Sequence, residues 1–405
     1  MLFNLIDFLR GVSLSLDYIE KIIFGFPTNH SKRVAYISLR ISQALNLQRD
    51  QVFDLLSLAI LHDIGASLKT LHENLVGSQN EKRSVLEASI NHCIVGEEII
   101  QDFPFLTNPQ NVIKYHHENE DGSGFFGIIG NQIPLMAQII HLADSIERNF
   151  IINIYPENKY VKNSMQNFLK INENKMFSEH LIKVFIPILD DDSFWVGISD
   201  LHIDSEIRNE IKDYNQEYDF DTIRRISKTF SRIIDSKSSF TLIHSSSVAA
   251  ITEKMADRYK MNRLEKNKIL IAADLHDLGK LGVSNDILDK PGGLTDDEFT
   301  KIKEHPLIGF ECLKEIIGFE DISKWVLNHH EKINGTGYPN GKKGNELDFN
   351  SRLISCVDIF VALQEDRPYR PGFTRENALK ILFDMANKHL IDLNICQEIS
   401  SLPSI

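Results

Sequence analysis

The sequence has only four cysteines, Cys93, Cys312, Cys356 and Cys396, and no two of them form a C-x-x-C pair. Scattered thiols of this kind fit reduced, buried side chains better than a disulfide framework or a thiolate zinc site. No run approaches the roughly twenty uncharged apolar residues that a membrane span needs, so no membrane association is expected. The apolar segment Met1–Phe26 is interrupted by Asp7, Arg10 and Asp17 and lacks a basic start and a small-residue cleavage site. A secretory signal is therefore not predicted, and a cytoplasmic location is the expectation. Positive charge is in deficit, with 44 Lys and Arg against 57 Asp and Glu and a net charge of −13. That balance argues against a broad surface for long nucleic acids, although a few local cations can still form a phosphate pocket. Strand-like alternation is scarce as well, and the predicted fold class is all-α.

What the sequence does have is histidine in a repeated arrangement. The 405 residues suffice for two ordinary domains, each with its own core. His62-Asp63-Ile64-Gly65 recurs 214 residues later as His276-Asp277-Leu278-Gly279, and His116-His117-Glu118 recurs 213 residues later as His329-His330-Glu331. The same shift pairs His30 with His244, His92 with His305, and Asp144 with Asp358. The loop after each His-His-Glu repeats too, as Asp121-Gly-Ser-Gly124 and Asn334-Gly-Thr-Gly337. So many matches at nearly constant offset identify a tandem duplication. Lys32–Leu45 and Val248–Tyr259 carry apolar residues at helical spacing. Leu55–His62 and Ile269–His276 read as buried helices ending at His-Asp, with Gly65 and Gly279 as helix stops. Asn328–Glu331 reads as another helix end, and Ile207–Tyr214 as a helical piece of the connector.

Five histidines and two aspartates per repeat supply nitrogen and carboxylate oxygen, a mixture that suits iron, manganese or zinc better than calcium or magnesium. Seven donors exceed what one metal with an open position requires, but they fit two metals sharing a bridging carboxylate. A pair of metals about 3.5–4 Å apart stabilises both the entering and the leaving oxygen at phosphorus, so the donor count favours phosphoester hydrolysis. Isolated histidines such as His72, His141, His180, His202 and His389 are expected to be ordinary surface or core residues. Glu118 and Glu331 read either as partners orienting imidazoles or as exposed helix-end glutamates.

The second repeat, over about Phe240–Thr374, resembles the HD-GYP family of phosphodiesterases within the HD phosphohydrolases. The motifs that carry the resemblance are His276-Asp277-Leu278-Gly279-Lys280, the run His329-His330-Glu331 through Gly337-Tyr338-Pro339, and Arg367-Pro368-Tyr369-Arg370. It implies two tandem HD-type helical bundles: a divergent domain over 1–196, a connector over 197–218 and an HD-GYP catalytic domain over 219–405. It further implies two iron or manganese ions. His244, His276, Asp277 and Asp358 would hold one of them, and Asp277 would bridge to a second on His305, His329 and His330. Asp277 and Lys280 become the catalytic residues, and Lys280, Arg367 and Arg370 the phosphate contacts. The implied substrate is a cyclic dinucleotide, chiefly cyclic di-GMP opened to pGpG or GMP, and a signalling protein or a second copy of the chain is a candidate partner. Phe240 stands where some members carry a third-metal glutamate, and Asn334 stands where an aspartate is more usual.

The first repeat matches all seven ligand positions with His30, His62, Asp63, His92, His116, His117 and Asp144. Ala66 nevertheless replaces the lysine, Gly124-Phe125-Phe126 replaces Gly-Tyr-Pro, and Ser145-Ile-Glu-Arg-Asn-Phe150 follows the aspartate without an Arg-Pro-Tyr-Arg. The expectation is a repeat that keeps metal and loses its grip on phosphate, as a regulatory or packing partner. Two competing functions are a mononuclear HD nucleotidase, which needs only His244, His276, Asp277 and Asp358, and a non-catalytic cyclic-dinucleotide sensor or scaffold.

Overall fold

The computed structural model describes residues 2–13, 29–67, 90–151, 159–212, 216–238, 243–367 and 370–403. His72, Tyr214, Phe240, Pro368, Tyr369 and residues 14–26 lie outside these. The chain divides into two units, Asn4–Gln216 and Glu217–Ile405, the latter including Met1–Phe3. Both are built of helices, as the periodicity predicts. Among the described residues, strand is confined to the two-residue segments Leu2–Phe3 and Gln216–Glu217. No helix among them is long and apolar enough to cross a membrane.

In the first unit the helix His30–Ala44 packs against Arg49–Leu61 and Leu135–Ile146. Val34, Ile37, Ile41, Leu55, Leu58, Ile139 and Leu142 are all buried there, each contributing about 1.5–3 kcal/mol of transfer free energy. Arg49–Leu61 starts at Gln48, whose amide donates to the Gln51 side chain at 3.1 Å, a reciprocal cap that satisfies a first-turn donor. The stretch 197–218 carries the helix Ile203–Ile211, which buries Ile203, Ile207 and Ile211 and packs on His30–Ala44. Arg10 Nη1 donates to Asp204 Oδ1 at 2.6 Å and further ties that helix into this unit.

In the second unit Phe220–Ser236 is capped by Asp219, which accepts from the Thr222 amide at 2.7 Å. One face of this helix, Ile223, Ile226, Phe230, Ile233 and Ile234, turns inward. It packs on Arg263–Leu275, whose last seven residues are all buried, so this helix runs through the centre and delivers His276 into the interior. His244–Arg258 and Phe349–Gln364 pack alongside it.

Gly65 and Gly279 are not helix stops. The helices end at Leu61 and Leu275, and both glycines sit inside the short 3-10 turns that follow, Ile64–Ser67 and Leu278–Gly282. Their role is to admit a crossing backbone. A Cβ on Gly279 would stand 1.9 Å from the His305 carbonyl oxygen, and one on Gly65 2.1 Å from that of His92. The glycine thus lets the helix beginning at His305 approach the His-Asp turn, which brings His305 close to Asp277.

Candidate metal centre

In the second unit the seven residues converge. The two oxygens of Asp277 face in opposite directions. Oδ2 lies 3.6 Å from His244 Nε2 and 3.3 Å from His276 Nε2, while Oδ1 lies 3.3 Å from His305 Nε2 and 3.8 Å from His329 Nε2. Asp358 spans the same two groups, with Oδ1 3.1 Å from His244 Nε2 and Oδ2 3.6 Å from His330 Nδ1. The donor atoms fall into two sets, His244, His276 and Asp358 on one side and Asp277, His305, His329 and His330 on the other.

Local structure sets the orientation of the rings. His276, His305 and His329 each stand at a helix end, where Nδ1–H donates to the carbonyl three residues back. These are Ala273 at 2.8 Å, Ile302 at 2.6 Å and Val326 at 2.6 Å. That bond fixes the tautomer and turns an Nε2 lone pair inward. The consequence is repulsive on its own terms for one pair: His305 Nε2 and His329 Nε2 face each other at 3.1 Å, while His276 Nε2 lies 3.3 Å from His244 Nε2. Asp277 Oδ1 is buried with no hydrogen-bond partner. Facing lone pairs and an orphaned carboxylate oxygen need positive charge between them, so the donor set fits bound cations. Burial alone would raise the Asp277 pKa, but the Lys280 ammonium and His276 outweigh it and hold the carboxyl well below its usual range. Burial lowers His329 and His330 and keeps both neutral, the form that can bind a metal.

The first unit assembles the same frame. Asp63 Oδ1 lies 3.6 Å from both His92 Nε2 and His116 Nε2, and Asp63 Oδ2 lies 3.4 Å from His62 Nε2. Asp144 Oδ1 lies 3.4 Å from His30 Nε2 and 3.8 Å from His62 Nε2. His62 and His116 again donate through Nδ1 to carbonyls three residues back, Ala59 at 2.9 Å and Ile113 at 2.5 Å. His117 lies within 4.8 Å of the His92 and His116 donors, together with Cys93, where the second repeat has Pro306. All seven positions of the first repeat therefore lie close together, with Asp63 between the two donor groups.

Residues 228–395 match the HD-domain family, and residues 28–149 match it separately. The chain is a tandem HD-domain protein. It is 27% identical over 366 residues to the 3'3'-cGAMP-specific phosphodiesterase 1 of Vibrio cholerae serotype O1, across 87% of this chain and 82% of that protein. It is 33% identical over 177 residues to the cyclic di-GMP phosphodiesterase response regulator RpfG of Xanthomonas campestris pv. campestris, covering 43% of this chain and 45% of that one. A crystal structure of a cyclic GMP-AMP specific phosphodiesterase of V. cholerae covers the whole chain and 99% of its own, with a TM-score of 0.69 at 24% identity, which places the fold.

Around the ligands, each HD domain has a carboxylate that sequence reading missed. Glu365 Oε2 accepts from His244 Nδ1 at 2.9 Å, and Glu147 Oε2 accepts from His30 Nδ1 at 2.6 Å. Burial disfavours a charged His244, yet Asp358 and Glu365 push its pKa up to about 9. The glutamates of the two His-His-Glu motifs are neither imidazole partners nor exposed, because both are buried and both hold a loop. Glu331 accepts from the Asn340 and Lys342 amides at 2.7 and 3.0 Å, and Glu118 from the Phe126 and Ile128 amides at 2.8 Å each. Glu331 thereby anchors the turn that presents Tyr338, whose ring centroid lies 4.8 Å from that of His330.

Beside the C-terminal centre lies a cavity of about 180 Å³ lined by Asp277, Lys280, Lys237, Lys290 and Arg367 among others. Lys280 Nζ donates to Asp277 Oδ2 at 2.6 Å, and Arg367 Nη2 donates to Glu365 at 3.2 Å. Arg370 is placed otherwise. Its guanidinium donates to the carbonyls of Ala362 and Leu363 at 3.0 and 3.2 Å and so closes the end of the helix Phe349–Gln364. Of the isolated histidines, His141 is buried against Asn119, its Nε2 3.1 Å from Asn119 Oδ1, and His202 Nδ1 lies 3.0 Å from the Ser199 hydroxyl.

Proposed function

We propose that the C-terminal HD domain hydrolyses a phosphodiester bond of a cyclic dinucleotide at a two-metal centre on His244, His276, Asp277, His305, His329, His330 and Asp358. The observation that carries this reading is Asp277, a single buried carboxylate whose two oxygens address two separate histidine groups. Iron or manganese suits the nitrogen-and-oxygen donor set, and a metal pair there supplies an activated water and charge neutralisation at phosphorus. Lys280 reaches the same carboxylate from the cavity side and is the cation best placed to meet a phosphate oxygen. Lys290 and Arg367 line the same cavity and extend the positive wall along a dinucleotide backbone. Arg370, spent on backbone carbonyls, serves the shape of that wall and not the phosphate.

Two relatives that match most of the chain are named for 3'3'-cGAMP, whereas RpfG, named for cyclic di-GMP, matches less than half of it. The substrate favoured is therefore 3'3'-cGAMP, ahead of the cyclic di-GMP that the motifs alone suggest. A mononuclear nucleotidase would leave the approach of His305 and His329 to the far oxygen of Asp277, with His330 in the same donor group, without a purpose. The N-terminal domain, with Ala66 in place of Lys280, is assigned no hydrolysis.

The test is turnover of 3'3'-cGAMP and cyclic di-GMP by anaerobically purified full-length protein with its metal content measured. Asp277→Ala should lose metal and abolish hydrolysis, whereas Asp63→Ala should keep most of it. Equal loss from both substitutions would reject the division between the domains, and failure to cleave either dinucleotide would reject the activity.

A further inference from the structure

The two HD domains differ most in where a cation sits. In the C-terminal domain Lys280 touches the bridging carboxylate, and the residue one helical turn after Asp358 is Ala362. In the N-terminal domain the lysine has become Ala66, and the residue one turn after Asp144 is Arg148. The Arg148 guanidinium lies against both carboxylates at once, with Nε 2.6 Å from Asp144 Oδ1 and Nη2 3.6 Å from Asp63 Oδ2. These are the oxygens that face His30 and His62, the counterparts of the Asp358 and Asp277 oxygens facing His244 and His276. A guanidinium is permanently charged, and its fork suits two carboxylates. It therefore puts fixed positive charge on the oxygens that an ion in this half would need.

Among the described residues, the other half carries no such substitute. His116 donates through Nδ1 to Ile113, so its Nε2 is a bare lone pair, and that atom is buried with no hydrogen-bond partner. His117 Nε2 is likewise buried and without one. Both belong to a donor group with His92 and Cys93, whose Sγ lies 3.4 Å from His92 Nε2, and Asp63 Oδ1 stands 3.6 Å from His92 and from His116 beside that group. Orphaned imidazole nitrogens next to an ionised carboxylate are costly unless a cation joins them.

We propose that the N-terminal domain binds one divalent transition-metal ion, on Asp63, His92, His116 and His117, and that Arg148 replaces the second. The ion is structural, because Ala66 occupies the position of Lys280. The proposal concerns occupancy alone and does not depend on which dinucleotide the other domain cleaves.

The experiment counts Mn2+ bound by the full-length protein with the C-terminal centre disabled by Asp277→Ala and His329→Ala. The same protein with His116→Ala added serves as the baseline. One ion per chain above the baseline is expected, and adding Arg148→Met to the disabled protein should raise the count to two. A difference of none or of two with Arg148 in place overturns the proposal, as does an Arg148→Met count that stays at one. If Arg148→Met fails to fold, electron paramagnetic resonance of the disabled protein decides. An isolated Mn2+ signal lost on His116→Ala supports the single ion, and an exchange-coupled pair or no protein-bound signal refutes it.

Discussion

His244 presents Nδ1 to Glu365 Oε2 at 2.9 Å while its Nε2 faces Asp358 Oδ1 at 3.1 Å. One carboxylate thereby sets which nitrogen of the ring is free to bind a metal. Glu365→Ala is expected to leave the helical fold intact and to weaken metal binding by roughly 10–100-fold, the usual effect of losing a partner that orients a ligating histidine. Competition against a chromogenic chelator measures this. Unaltered affinity would reduce Glu365 to a surface partner of Arg367.

Lys280 is expected to separate binding of metal from turnover. Its Nζ touches Asp277 Oδ2, yet it donates protons and has no lone pair to offer a metal while charged. Lys280→Ala should retain the metal content of the parent and lose about 10²–10³-fold in kcat, the scale of removing one donor aimed at developing charge. Loss of metal together with activity would move Lys280 from the reaction to the support of Asp277. Unchanged kcat would remove it from both.

The candidate ligands were legible in the sequence because the duplication displays them twice at one offset, and because a histidine at a helix end finds a free carbonyl three residues back. The carboxylates behind them were not. Glu147 follows Asp144 by three residues and Glu365 follows Asp358 by seven, so the repeat alignment sets neither beside the other. Arg148 escaped notice for the same reason: it reads as the absence of Arg-Pro-Tyr-Arg, and only the fold shows it lying on two ligand carboxylates. Glu118 and Glu331 are aligned in both repeats, but a side chain that grips backbone amides eight to eleven residues on leaves no pattern in residue types. Gly65 and Gly279 were visible as repeated glycines, and what they make room for is a backbone distant in sequence.

That crossing gives a sharp contrast between two glycines. Gly279→Ala would drive a methyl group to 1.9 Å from the His305 carbonyl oxygen, and relief requires shifting the helix that begins at the candidate ligand His305. A stability loss of about 1–3 kcal/mol is expected from such overpacking, together with reduced metal content. Gly292→Ala meets nothing within 4 Å and should change neither. Urea midpoints and metal analysis of the two variants side by side provide the check, and equal behaviour would contradict the close approach.

Lys237 supplies the pH dependence. It lines the cavity, is 6% exposed and donates to the Leu281 carbonyl oxygen, and burial lowers its pKa from 10.5 to about 7. Between those two values the unfolded chain holds the proton that the folded chain has released, so this residue makes stability rise with pH from about 7 towards 10.5. Below pH 7 both states are protonated and the whole penalty of burying the ammonium applies, on the order of a few kcal/mol. Lys237→Met removes that penalty at the cost of the bond to Leu281, and the latter cost does not vary with pH. The variant should therefore gain on the parent at pH 6–7 and lose that advantage steadily by pH 9–10, as read from the difference in unfolding free energy in urea. Parallel stability curves would show that the Lys237 amine keeps its ordinary pKa in the fold.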